Sequence, residues 1–319
     1  MTKILWIGAC LCAALRTSGC DVCGIFLNVQ PNDRSTQFGL LHRVRMLSRD
    51  FNAEGVSLLK HGGNAHAETV QGPRAVRELI QAVELRADIR FRDRWALLVA
   101  MPTVNTYQSV NGYVHYDAYG LGDPFAILRY QLVNTKVTMA DTTGRLVHRL
   151  LVGGGVKMPL GRSDVTYQGE RLHPDAQPGT GSWDALISLE YALRIRRSGI
   201  TFASVGRINT ADTYGVRLGH TASTTAELFH LFPIGKRVQV VPSAGGYMEW
   251  AATDTDSGVD QPDTGGTTWY ATGGLRTYWK KWMLTATYQK ALAWNIGGDM
   301  TATDHRVIAG LSYFINKNN

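Results

Sequence analysis

The chain holds 319 residues with a formal net charge of +7, and 44% of them are hydrophobic. After the N-terminus no apolar run reaches the roughly 20 residues of a membrane-spanning helix, which excludes a helical bundle in lipid. A mean hydropathy of −0.13 is still compatible with a closed barrel, because lumen and loop residues dilute its apolar band. Lysine and arginine fall at alternate strand positions and in tight turns rather than on one helix or in an aromatic-interleaved tract, which argues against nucleic acid as a partner.

Residues 1–19 carry Lys3, a short apolar core and small residues at Ser18 and Gly19, the pattern of a secretory signal peptide. Cleavage after Gly19 makes Cys20 the first mature residue, opening a periplasmic segment over 20–36 ahead of a barrel over 37–319. Lipid attachment at Cys20 is disfavoured by Arg16 and Thr17, which stand where an apolar residue is wanted. Cys10 and Cys12 leave with the signal, so Cys20 and Cys23, in Cys-Asp-Val-Cys-Gly, are the remaining thiols. In an oxidising compartment they read as a small disulfide or an anchor, or as ligands for a soft metal such as Cu(I). No histidine follows Cys23 and no βαβ unit surrounds the pair, so neither covalent haem nor thioredoxin-like exchange is indicated. The sequence calls for no cofactor.

From there the chain alternates. In residues 38–46, Phe38, Leu40, Val44 and Met46 share one face, with Leu41, Arg43 and Arg45 on the other. Period two is the strand signal, since successive side chains leave a strand on opposite sides. A polar loop follows to about residue 75; its His61 and His66, without an acidic or cysteine partner nearby, read as solvated. Residues 79–91 place Leu79, Val83, Leu85, Ala87, Ile89 and Phe91 opposite Glu84, Arg86, Asp88 and Arg90. A tight turn over 92–94 leads into Trp95, Leu97, Val99 and Met101, and residues 102–119 read as a second long loop.

Gly120, Leu121, Gly122 and Asp123 introduce a strand over 125–133, and 134–144 reads as a connection, partly strand. Residues 147–159 run back through Gly153, Gly154 and Gly155, where glycine suits a bend or a close approach. After a loop over 160–181, the clearest strand puts Trp183, Ala185, Ile187, Leu189, Tyr191 and Leu193 opposite Asp184, Ser188, Glu190 and Arg194. Strands are then expected over 200–208, 216–231 and 238–250. The acidic loop 251–266, with Asp254, Asp256, Asp260 and Asp263, lacks the final glutamate of an EF-hand and reads as solvated surface. Strands 269–279, from 282, and 306–314 complete the chain, with Lys280 and Lys281 at the tightest turn.

About twelve strands with aromatic ends, joined by alternately long and short connections, predict an all-β transmembrane antiparallel up-and-down barrel in the bacterial outer membrane, with both termini in the periplasm. A soluble antiparallel sandwich also alternates but does not sort its loops by length. Outer-membrane lipid is then the partner of the outer face. Arg43, Arg45, Glu84, Arg86, Asp88, Arg90, Arg149, Lys157, Glu190, Arg194, Arg207 and Arg276 are expected to line the lumen. Their basic excess favours a small anionic solute in a water-filled pore. The competing reading has these charges pair across strands and fill the interior. Catalysis has weak support: His220 with Ser223 or Ser243 are the available triad members, and no Gly-x-Ser-x-Gly surrounds a serine.

The opening Cys20, Asp21, Val22, Cys23, Gly24 resembles that of outer-membrane barrel transporters of Bacteroidetes, as does Gly120 to Asp123 ahead of a strand with Tyr130 and Gln131. Both stretches resemble, more distantly, the barrels associated with the MetA pathway of phenol degradation. The resemblance implies fold and compartment. Ile25 stands where such proteins carry a further cysteine. The resulting expectation is a passive or facilitated conduit; the alternative is a non-transporting barrel whose Cys20/Cys23 segment binds a soft metal or a periplasmic partner.

Overall fold

The computed structural model describes residues 35–51, 74–135, 146–262, 264–296 and 303–315. The signal and cysteine segments, His61, His66, Asp263 and most of the 134–144 connection lie outside the described residues. Twelve strands form the wall: β1 (Thr36–Phe51), β2 (Arg74–Phe91), β3 (Trp95–Val110), β4 (Phe125–Asn134), β5 (Val147–Lys157), β6 (Asp184–Ile195), β7 (Ser198–Asn209), β8 (Thr221–His230), β9 (Val238–Ala251), β10 (Gly266–Trp279), β11 (Trp282–Ile296) and β12 (His305–Ile315). Each pairs antiparallel with its neighbour in sequence, and β1 pairs with β12 from Thr36↔Ile315 to Met46↔His305. The sheet is a closed barrel, so it leaves no unpaired edge in lipid.

The described connections 111–124, 158–183, 210–220 and 252–265 lie at one end. The turns 92–94, 196–197, 231–237 and 280–281, with the start of β1 and the end of β12, lie at the other, which is the periplasmic end of such a barrel. Arg196 and Lys280 open two-residue hairpins with φ of 53° and 54°, the left-handed start that a tight primed turn requires. Outside stand Phe38, Leu85, Met101, Ile187, Leu228, Leu275 and Leu284, all exposed. At the short-turn end Trp95 meets Tyr130 at 4.8 Å and Trp282 meets Tyr313 at 4.9 Å between ring centroids. These rings form the aromatic belt of a membrane interface.

Two loop expectations and one strand expectation change. Residues 102–119 are not loop: β3 runs on to Val110, and a ribbon, Tyr113–Leu121, returns along it. Asn111 and Gly112, both at positive φ (52° and 84°), make the turn, and Asn-Gly between alternating residues is the sequence signal for such a hairpin. The acidic loop is structured, although Asp260 is exposed: Asp254–Asp256 pairs with Val259–Gln261, and Asp256 and Thr255 pair with Val216–Arg217. Asp254 is fully buried and accepts a hydrogen bond from the Gly219 amide at 2.5 Å. In consequence the strand expected over 216–231 is split, and β8 starts at Thr221. The triple glycine of β5 answers to close approach. A Cβ at Gly155 would lie 2.1 Å from the Ala126 carbonyl oxygen, and one at Gly153 2.5 Å from Ser188 Oγ.

Candidate functional site: the barrel interior

Alternation carries every second side chain of each strand inward, and the inward set here is heavily charged. On the long-loop side of the wall, Glu249 of β9 accepts from Arg45 of β1 at 2.9 Å and from Tyr247 at 2.6 Å, and forms an ion pair with Arg306 of β12 at 2.7 Å. The Arg306 guanidinium also lies 4.6 Å from the centre of the Tyr247 ring, a cation–π contact. Glu84 of β2, 1% exposed, is held by Arg43 and by Arg86, the latter at 2.5 Å. Arg129 of β4 bridges Asp88 at 2.6 Å and Glu190 of β6 at 2.8 Å. Arg276 meets Glu227 at 3.1 Å, and Arg90 reaches Gln131 at 3.5 Å.

Between these networks lies an apolar cluster of inward side chains, Leu98, Ala100, Phe125, Ile127, Leu186, Ala203 and Val205. Burying Glu84, Asp88, Glu190, Glu227 and Glu249 is tolerable because each meets a guanidinium group; removing one partner leaves the other uncompensated.

The 158–183 connection turns inward at the long-loop mouth. Asp123 organises it, accepting from the amides of Gly161 at 3.0 Å and Thr180 at 2.8 Å and from Lys157 Nζ at 2.7 Å. The same ammonium lies 2.9 Å from Asp184 and contacts Thr180. Inward-facing Thr106 donates to the Ala176 carbonyl at 2.5 Å. Gln177, fully buried, bonds Val165 and Leu172 within the loop, and Leu172 packs on Tyr116 and Ala118. The cavity among Gln37, Leu41, Arg86, Asp88, Arg129 and Glu190 measures about 50 Å3, room for a few water molecules.

All twelve sequence-derived lumen residues sit at inward positions, and most of them are held in ion pairs with one another or with neighbours. Arg149, Arg194 and Arg207 are buried there, Arg194 bonding the Arg196 carbonyl and Arg207 lying 3.9 Å from Asp184. The lumen set read from the sequence left out Glu78, Asp123, Arg129, Glu227, Glu249 and Arg306, and Asp184, although Asp184 stands on the polar face of its strand. Arg129 shares its inward face with Phe125 and Ile127, so its strand did not announce a polar side. With these included, save Asp123, which lies in a connection, eleven basic and seven acidic side chains face inward among the described residues of the wall strands.

The triad candidates are not brought together. His220 Nδ1 accepts from the Asn209 amide at 3.1 Å, and its Nε2 lies 3.4 Å from Arg217. Ser223 pairs opposite Glu249 while Ser243 pairs opposite Phe229, at the other end of the β8–β9 ladder.

A closed twelve-stranded antiparallel wall with an apolar outside, an aromatic belt and a charged inside defines a bacterial outer-membrane β-barrel. Among solved structures the chain is similar to a COG4313 outer membrane channel from Pseudomonas putida F1, with a TM-score of 0.57 at 13% identity, over 90% of this chain and 100% of that one. It is also similar, with a TM-score of 0.41 at 14% identity, to the beta domain of the Bordetella autotransporter BrkA, over 88% of this chain and 99% of that one. At these identities the likeness is one of fold. No family model and no curated protein matches the chain.

Proposed function

We propose that this barrel is a channel for a small anionic solute, in a closed conformation whose movable part is the 158–183 loop. The observation that carries the reading is the excess of eleven inward basic groups over seven acidic ones. In a low-dielectric wall that imbalance lowers the electrostatic cost of an anion and raises that of a cation. The similarity to a COG4313 outer membrane channel supports a channel, and the resemblance of the 20–24 and 120–123 stretches to Bacteroidetes-type transporters supports solute uptake. The test is single-channel recording of the refolded chain in a planar bilayer under a salt gradient. Discrete steps with a reversal potential on the anion side are expected; cation preference overturns the assignment.

The filled lumen favours one other reading, a barrel that binds without conducting, with Cys20 and Cys23 holding a soft metal or docking a periplasmic partner. A folded protein that stays silent in the bilayer, and loses Cu(I) binding on Cys20→Ser/Cys23→Ser substitution, supports that second reading.

A further inference from the structure

The outer wall carries an open apolar groove. It lies over the periplasmic halves of β6 to β9, where register sets Leu193 beside Ile200, Ile200 beside Leu228 and Leu228 beside Ala244. Its cause is Pro242, which has no amide hydrogen to give a ladder. The β8–β9 pairing ends one residue away, at Phe229↔Ser243, and β9 takes up a new partner, Phe232–Ile234. The two strands part there. The resulting groove holds about 670 Å3, within the roughly 300–1,000 Å3 of small-ligand sites. Its polar end is the pair Ser198 Oγ and His230 Nδ1, 2.8 Å apart.

Just beyond that end lie two turns, and both are basic. Arg196 and Arg197 close β6 to β7; Lys236 and Arg237 precede β9; all four are exposed. The Leu231 amide donates to the Arg197 carbonyl at 2.8 Å, which fastens one turn to the other. Arg92, Arg94, Lys280 and Lys281 make other short turns basic as well, but there the wall above is closed by rings. Arg94 bonds the Tyr130 hydroxyl at 3.3 Å, and Lys280 lies over Trp279 at 5.3 Å.

We propose that the β6–β9 groove is a binding site for an anionic phospholipid of the periplasmic leaflet. One acyl chain lies along Leu193, Ile200, Leu228 and Ala244, and the phosphate rests on the arginine and lysine side chains of the two turns. Charge and position select the occupant. The groove faces hydrocarbon, its mouth is at headgroup level below the aromatic belt, and guanidinium groups match phosphate oxygens in geometry as well as sign.

The test is native mass spectrometry of the detergent-solubilised full mature chain with phosphatidylglycerol and phosphatidylcholine of the same chain length. Heat-modifiable migration on gels confirms that each variant is folded. The wild-type protein is expected to retain phosphatidylglycerol preferentially. Replacing Arg196, Arg197, Lys236 and Arg237 by glutamine is expected to reduce that retention about tenfold. Lys280→Gln/Lys281→Gln, made at a turn without a groove, should leave it within about twofold. Ala244→Trp fills the groove while keeping every charge, and should lower retention of both lipids. Equal retention of the two lipids by the wild type overturns the proposal. So does an equal loss in the Lys280/Lys281 control, which would mean rim charge alone, or an Ala244→Trp protein that binds unchanged.

Discussion

Lys157 at the end of β5 and Asp184 at the start of β6 face each other across the wall, 2.9 Å apart, and the same ammonium reaches Asp123 at 2.7 Å. One lysine thus ties two wall strands to the carboxylate that holds the 158–183 loop. Lys157→Met leaves Asp123 buried without its cation and Asp184 with only Arg207, 3.9 Å away, a loss of about 3–5 kcal/mol when one partner of a buried pair is removed. In a channel closed by this loop the local cost appears as opening. Bilayer recordings of the variant should show larger or longer conductance steps than the wild type; an unchanged trace means that the loop is not the gate.

Glu249 keeps the like charges of Arg45 and Arg306 together. Glu249→Gln removes the anion and leaves both cations buried, so unfolding in urea should move to lower denaturant by the equivalent of about 3–5 kcal/mol. Arg306→Ala combined with Glu249→Ala should cost less than the sum of the two single changes, because the partners are coupled. Additive losses would show that the network is not a unit.

Selectivity follows the inward charge balance. Converting Arg149 and Arg194, both buried in the lumen, to glutamate turns eleven basic and seven acidic inward groups into nine of each. The reversal potential in a salt gradient should move from the anion side toward zero, provided that the variant still shows heat-modifiable migration. A reversal potential that stays put would remove the lumen charge as the source of selectivity.

The glycines of β5 give a stability test with an internal control. Gly155→Val must displace backbone, since even its Cβ would lie 2.1 Å from the Ala126 carbonyl oxygen, and should cost about 1–3 kcal/mol or more. Gly154→Ala, one residue along on the outer face with nothing within 4 Å of the added carbon, should stay within about 0.5 kcal/mol. Thermal loss of the heat-resistant gel form distinguishes the two.

The strands whose two faces differ sharply were legible. In β6 the outward Ile187, Leu189 and Tyr191 contrast with inward Ser188 and Glu190, and the phase can be read from residue types alone. β4 was legible as a strand but not in content, because Phe125 and Ile127 face inward beside Arg129 and both sides look apolar. In β9, Gly245 and Gly246 interrupt the contrast before Tyr247 and Glu249, which hid the carboxylate that joins β9 to β1 and β12. The inward loop escaped for a different reason. Asp123, Lys157, Thr180 and Asp184 are scattered in sequence, and only pairing of the strands brings them together.

The seam between β1 and β12 has a consequence for how the molecule comes into being. Thr36 and Ile315 are neighbours in the wall, yet nearly the whole described chain separates them. Contacts of such sequence separation are slow to form. Until the last strand arrives, β1 and β11 are bare edges that would pair with any other extended chain. Lipid cannot harbour such an edge either. A partly built wall in the bilayer would therefore carry unsatisfied backbone along two edges until β12 pairs with β1 and removes both at once.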